Sequence, residues 1–216
     1  MSERRVLVLN PNSNPTVTAG IEEAVAEQQE PDRLRIDCAT LESGPFGIES
    51  DQDVAFVKPR VLDHIAGAIG RYDAFVIACY SDPALAECRE RFAKPIAGIH
   101  ESAVTLAASY GRTFGVLALG RDSIQRHIGY VRELGLQSFH AGERPLNITV
   151  DEAANDPTTL DKIVETGREL IDEDGAEIVI LGCAGMAKHR AAAQTALGVP
   201  VIDPVQAAVT MISKVA

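Results

Sequence analysis

No apolar run in this 216-residue chain approaches the roughly 18 residues that a membrane-spanning helix requires, so a membrane role is not expected. The opening MSERRVLVLN carries charges and then a strand-like stretch too short for a signal sequence, which reads as a cytoplasmic chain. Basic clusters are also missing. Twenty Lys and Arg face 31 Asp and Glu, for a net charge of −11, and nothing groups cations as a phosphate backbone demands. Nucleic acid is therefore excluded as a partner. The four cysteines, Cys38, Cys79, Cys88 and Cys183, show neither CxxC nor zinc-ligand spacing, and in a reduced compartment they are not expected to form structural disulfides. The five histidines, His64, His100, His127, His140 and His189, form no HExxH, so no metal is expected. Neither GxGxxG nor GxxxxGK[ST] occurs, which argues against a nucleotide cofactor.

What the chain does have is alternation. Arg5–Asn10 is a short Val- and Leu-rich run of the kind buried in parallel sheets. It breaks at Asn10–Ser13, where Asn14 caps a helix with Pro15 at its first position, running to about Gln29. Strands are predicted at Leu34–Ala39, Ala74–Cys79, Pro95–Ile99, Phe114–Leu119, Asn147–Val150, Glu177–Gly182 and Val199–Asp203. Residues 41–53, with Gly44, Pro45 and Gly47, read as a loop that could cover a site. Between the strands lie helical stripes. Val61, Leu62, Ile65 and Ile69 form one that ends at Gly70; Ile124, Ile128, Val131 and Leu134 form another, begun by Asp122 or Ser123. Asp82–Pro83 and Asp156–Pro157 look like cap-then-proline starts, and helices are expected after Cys183 and over Val205–Val215. The fold class is α/β, with parallel sheets flanked by helices and ligands bound beyond the carboxyl ends of the strands.

The two halves also resemble each other. YDAFVIACYSDP around Cys79 is answered by AEIVILGCAGM around Cys183, 104 residues later, and Pro95 by Pro200. This predicts two pseudosymmetric lobes, residues 1–100 and 101–204, with a closing helix (205–216) packed back on the first and the active site in the cleft between them. A lone cysteine after an apolar strand is usually a packing residue; a matched pair at equivalent strand ends is not so easily explained. Two thiols on opposite sides of one carbon form an acid–base pair, one removing a proton and the other returning it. An ordinary thiol is only about 3% ionised at pH 7, and helix-start N–H groups beside each cysteine are expected to favour the thiolate. Candidate donors to the carbanion's oxygen are the backbone after each thiol (Tyr80, Ser81, Ala184 and Gly185), the Ser81 and Ser13 hydroxyls and the Asn10 amide. Cys38 and Cys88 read as packing, His100 as an ordinary surface or satisfied histidine, and Glu101 as a first-turn helix residue.

LNPNSNPTVT, ACYSDPAL, SIQRHIGYVRELGL, LGCAGMA and VIDPV together resemble the aspartate/glutamate/hydantoin racemase superfamily, and within it the hydantoin racemase branch. The resemblance covers nearly the whole chain. It implies a cofactor-independent racemase, commonly a homo-oligomer, with Cys79 and Cys183 as the acid–base pair acting on a small molecule. Asn10, Ser13 and Ser81 then stand near the substrate. Members also act on allantoin, acidic amino acids or maleate; arylmalonate decarboxylases keep only the second cysteine. The strand-end segments hold no cation, with Arg121 just beyond, which favours an uncharged 5-substituted hydantoin over a dicarboxylate. A ligand-binding module and a Cys79–Cys183 redox sensor are the non-enzymatic alternatives.

Overall fold

A computed structural model describes residues 3–215; the outermost residues of the expected lobes, 1–2 and 216, lie outside it. The first half contains β1 (Arg4–Asn10), α1 (Pro15–Val25), β2 (Leu34–Thr40), α2 (Asp51–Ala68), β3 (Ala74–Ile77), α3 (Leu85–Arg91), β4 (Ile96–Gly98) and α4 (Ile99–Ser109). The second contains β5 (Phe114–Ala118), α5 (Arg121–Glu133), β6 (His140–Pro145), α6 (Val150–Asn155), α7 (Thr159–Asp172), β7 (Ile178–Leu181), α8 (Arg190–Leu197), β8 (Val201–Ile202) and α9 (Pro204–Ile212). The strands form two parallel four-stranded sheets of the same topology, ordered β2-β1-β3-β4 and β6-β5-β7-β8.

Alternation along the central strands explains why they read as unbroken apolar runs. Val6 and Val8 face one core while Leu7 and Leu9 face another. In β7, Ile178 and Ile180 divide from Val179 and Leu181 in the same way. Each sheet is covered on both sides, as parallel sheets require. The closing helices are exchanged. Ala103, Val104 and Ala107 of α4 pack with Phe114, Val116 and Ile180 of the second sheet. Val205, Ala208, Val209 and Ile212 of α9 pack with Val6, Val8 and Val76 of the first. Each helix also lies against the other, so the carboxyl ends of the two sheets are held in fixed relation.

Several expectations need correction. Asn147–Val150 is not a strand: Asn147 has a positive φ of 53°, and Thr149 caps α6 with a reciprocal bond to Glu152. The strand there is β6, HAGERP, which is half-buried at the sheet edge and carries no apolar pattern. The 41–53 loop ends early, because Ser50 and Asp53 form a capping box that starts α2 at Asp51, upstream of the internal Pro59. Asp82–Pro83 does not start a helix; Asp82 and Ala84 both have positive φ, and α3 begins at Leu85. In α5, His127 and Val131 are buried, whereas Ile124 and Ile128 are only half-buried.

Candidate active site

The two cysteines occupy equivalent turns. Ala78 N–H bonds the Leu9 carbonyl and Gly182 N–H the Leu117 carbonyl, which extends β3 and β7 by one residue each. The Cys79 carbonyl then accepts from Asp82 N–H at 2.9 Å, and the Cys183 carbonyl from Met186 N–H at 3.2 Å. Both thiols therefore open the same tight turn at the carboxyl end of the strand third in its sheet.

Those turns meet at a cavity of about 170 Å³, smaller than the roughly 300–1,000 Å³ of pockets that hold drug-sized ligands. Its wall includes Cys79, Tyr80 and Ser81 from one half and Gly182, Cys183 and Ala184 from the other. Val17, Ile48, Leu119, Ile148 and Val150 make much of the remainder apolar, while Asn12, Glu49, Asp122, Ser123, Arg126 and His127 supply polar atoms. Three contacts tie the halves together nearby. Arg126 pairs with Asp51, Val150 N–H donates to Glu49 at 2.8 Å, and the Asn14 amide donates to Asp151 at 3.0 Å.

Some expected site residues stand elsewhere. Asn10 is fully buried, and its amide donates to Asn12, the Asn14 carbonyl and Thr18 while its oxygen accepts from Asn12 N–H. With its polar capacity spent on the turn it braces, it does not line the cavity; Asn12 does. Ser13 is also off the wall, and its N–H holds the Pro45 carbonyl at 2.9 Å, fastening the 41–50 loop. Gly185 touches the site through Cys183, donating its N–H to the sulfur at 3.3 Å.

Both thiols are protonated at neutral pH. Burial pushes the Cys79 thiol up to about 11, assisted by Asp82 and opposed by the Ser81 N–H, the Arg126 charge and the Ser81 hydroxyl. Burial pushes Cys183 up to about 12; the Gly185 N–H opposes this, while Cys79, Glu49 and Asp203 add to it. The expected thiolate-favouring helix starts fall short. Cys183 leads into a 3-10 turn (residues 184–189), and Cys79 lies six residues ahead of α3. One or two donors per sulfur do not outweigh desolvation. Alkylation of half-buried Cys79 by iodoacetamide should consequently accelerate about tenfold per pH unit between pH 7 and 10; a rate already level at pH 8 would contradict this assignment. Cys38 and Cys88 pack against the cores of the first sheet, and all four cysteines are free.

Sequence reasoning missed the α5 face. Arg121 is exposed and turned to another surface, but Arg126, one turn further on, reaches the cavity. The strand-end segments hold no cation, but the cavity gains one from α5. His100 is not at the surface either: it is 1% exposed and stacked on Tyr80, with ring centroids 4.3 Å apart. Among the described residues, no group of three or more His, Cys, Asp or Glu is arranged to hold a metal ion, and no helix is long and apolar enough to cross a membrane.

A family model described as Asp/Glu/Hydantoin racemase matches residues 6–212. The chain belongs to that family. It is 36% identical over 212 residues to a hydantoin racemase of Pseudomonas sp. (strain NS671), a match covering 95% of this chain and 83% of the relative. A hydantoin racemase of Paenarthrobacter aurescens is 32% identical, with 94% and 87% covered. Among solved structures, an allantoin racemase from Klebsiella pneumoniae superposes with a TM-score of 0.93 at 28% identity, covering 99% of this chain and 87% of that one. These relatives are racemases, and the chain is an isomerase of that type.

Proposed function

We propose that the protein racemises a 5-substituted hydantoin, a class that includes allantoin with its 5-ureido group, by proton exchange between Cys79 and Cys183. The observation that carries the reading is the pair of equivalent thiol turns opening on one small cavity. One sulfur, as thiolate, removes the α-hydrogen; the other, as thiol, delivers a proton to the opposite face. Because close anions disfavour each other, ionising one thiol keeps the other protonated, which supplies a base and an acid at a single pH. The opposite enantiomer exchanges the roles. No cofactor enters this scheme, and the similarity to racemases of hydantoin and of allantoin, which share the hydantoin ring, supports the substrate class.

The test is to incubate purified protein with single enantiomers of several 5-substituted hydantoins and of allantoin in D2O. Optical rotation should decay to zero as the α-hydrogen signal disappears from the NMR spectrum. Absence of exchange with every substrate would sink the reading.

Arg126 favours a second reading, in which the substrate carries a carboxylate. Its guanidinium is already paired with the exposed Asp51, but its buried Nε has no partner. If that reading holds, Arg126→Ala should weaken turnover of acidic substrates at least tenfold more than that of neutral hydantoins, as kcat/KM ratios would reveal. Equal losses would leave the neutral substrate class in place.

A further inference from the structure

Beside Cys79 lies a buried cluster that the two-thiol scheme does not use. His127 of α5 and Glu143 of β6 join Nδ1 to Oε1 at 2.5 Å, with side chains only 4% and 1% exposed. Tyr80, which follows the thiol, meets the edge of the His127 ring at 5.0 Å. His127 forms part of the cavity wall. Since Nδ1 is taken by Glu143, Nε2 is the nitrogen left for a ligand in the cavity that His127 lines.

We propose that the His127–Glu143 pair is the hydrogen-bond donor to the substrate carbonyl oxygen that gains charge when the α-hydrogen is removed. This rests on the racemase reading and adds to it the group that meets the developing enolate. The pair holds one proton between its two members. With that proton on Glu143 Oε1 the imidazole is neutral; with it on Nδ1 the pair is imidazolium and carboxylate. Net charge is zero in both, and in both Nε2 carries a hydrogen. As the Cys thiolate takes the α-hydrogen and the C–H electron pair moves onto the carbonyl oxygen, the shared proton can move from Glu143 to Nδ1. The Nε2–H bond to the oxygen then strengthens without any net proton leaving the pair. When the second thiol returns a proton to carbon, the shift reverses.

Burial drives both members toward their neutral forms, His127 downward and Glu143 up to about 8. The charged and titratable groups facing them are Arg126 and Tyr130 on α5, Tyr80 after β3, His100 on α4 and His140 on β6. Below about pH 8 the pair keeps its proton and Nε2 donates. Above it, Nδ1–H is committed to a carboxylate, and Nε2 becomes a lone-pair acceptor unsuited to an enolate.

Three measurements decide the matter. Long-range proton–nitrogen NMR of the free protein should show His127 as the Nε2–H form below about pH 8 and lose that hydrogen above it; an Nδ1–H, Nε2-unprotonated ring at pH 6 overturns the assignment without reference to any substrate. With a substrate that the wild type exchanges, His127→Phe should lower kcat about 10²–10³-fold for both enantiomers. His127→Gln, whose amide can place an N–H near Nε2, should recover at least tenfold of that loss. A His127→Phe protein within threefold of wild type overturns the proposal. Should that variant fold poorly, Glu143→Gln decides. Its amide can donate to Nδ1 or accept from it but cannot titrate, so no change in the protonation of the pair is expected near pH 8. The wild-type log kcat/KM should rise with unit slope as a thiol ionises and flatten above about pH 8, whereas Glu143→Gln should keep rising; an identical break in both proteins refutes the shared-proton role. If wild type exchanges no α-hydrogen at all, the racemase reading fails, while the NMR result still reports on the pair.

Discussion

Cys183→Ser is expected to reduce interconversion of either enantiomer by about 10²–10⁴-fold, the usual loss when a positioned acid or base is removed. The serine hydroxyl occupies the same turn, so the cavity persists, but it cannot ionise near neutral pH. Proton abstraction by Cys79 remains available for one enantiomer only. The variant should therefore exchange the α-hydrogen of that enantiomer with solvent while producing almost none of its mirror image. Cys79→Ser should show the reverse preference. Chiral chromatography together with NMR of the recovered substrate measures both quantities. Full racemisation by either variant would refute the pairing, and loss of exchange for both enantiomers in each variant would point to a thiol role other than one-sided proton transfer.

The largest stability effect is expected at Gly98, and it arises from a difference between the halves. In the second half, Asp203 caps α9 with its own carboxylate, accepting from Gln206 N–H at 2.7 Å. In the first half the equivalent position is Gly98, and the carboxylate comes from Asp82, in the turn opened by Cys79. Asp82 accepts from His100 N–H at 3.0 Å and Glu101 N–H at 2.9 Å at the start of α4. A Cβ at Gly98 would lie 2.2 Å from the Asp82 carboxyl carbon, well inside contact distance. Gly98→Ala must expel the carboxylate or shift the turn, leaving one buried and one partly buried N–H group without their acceptor. A cost of about 2–4 kcal/mol is expected from chemical denaturation, at about 1–3 kcal/mol per unsatisfied group. Stability equal to wild type would show that Asp82 does not hold the turn. Asp82 adds a pH signature. Burial, against the two N–H donors, lifts its carboxyl from 3.8 to about 7, and Asp203 rises to about 6. The folded state then binds more protons than the unfolded one between about pH 4 and 7. Unfolding free energy from these groups is fullest below pH 4 and declines as pH rises through that window; Asp82→Asn should flatten the decline.

The central strands were legible in the sequence because burial on both faces leaves almost nothing but Val, Leu, Ile, Ala and Phe in β3, β5, β7 and the Val6–Leu9 span of β1. Edge strand β6 was not, since a half-exposed strand can carry Gly, Glu, Arg and Pro, while neighbouring Leu146 and Ile148 are buried from a loop. The thiols were legible through repetition at a fixed offset. Arg126 and His127 were not: His127 is a polar residue set within the apolar stripe of Ile124, Ile128 and Val131 on one helical face, and no motif marks it or its neighbour Arg126. The signal was nonetheless present: α5 begins directly after the carboxyl end of β5, where parallel sheets gather ligands, so its first turns belong to the site. Asp82 was read as the cap of the helix next to it. It instead serves α4, across a glycine whose missing Cβ leaves room for its carboxylate.

The most direct test of one sulfur on each face is the fate of the label in the first turnovers. A single enantiomer of a hydantoin, protiated at its α-carbon, is converted in D2O and both enantiomers are recovered at a few per cent conversion. The account predicts product carrying almost full deuterium while the remaining substrate is still protiated, since the abstracted hydrogen and the delivered one belong to different cysteines. Product that retains the original hydrogen would mean that one base serves both faces, and the central claim would be wrong.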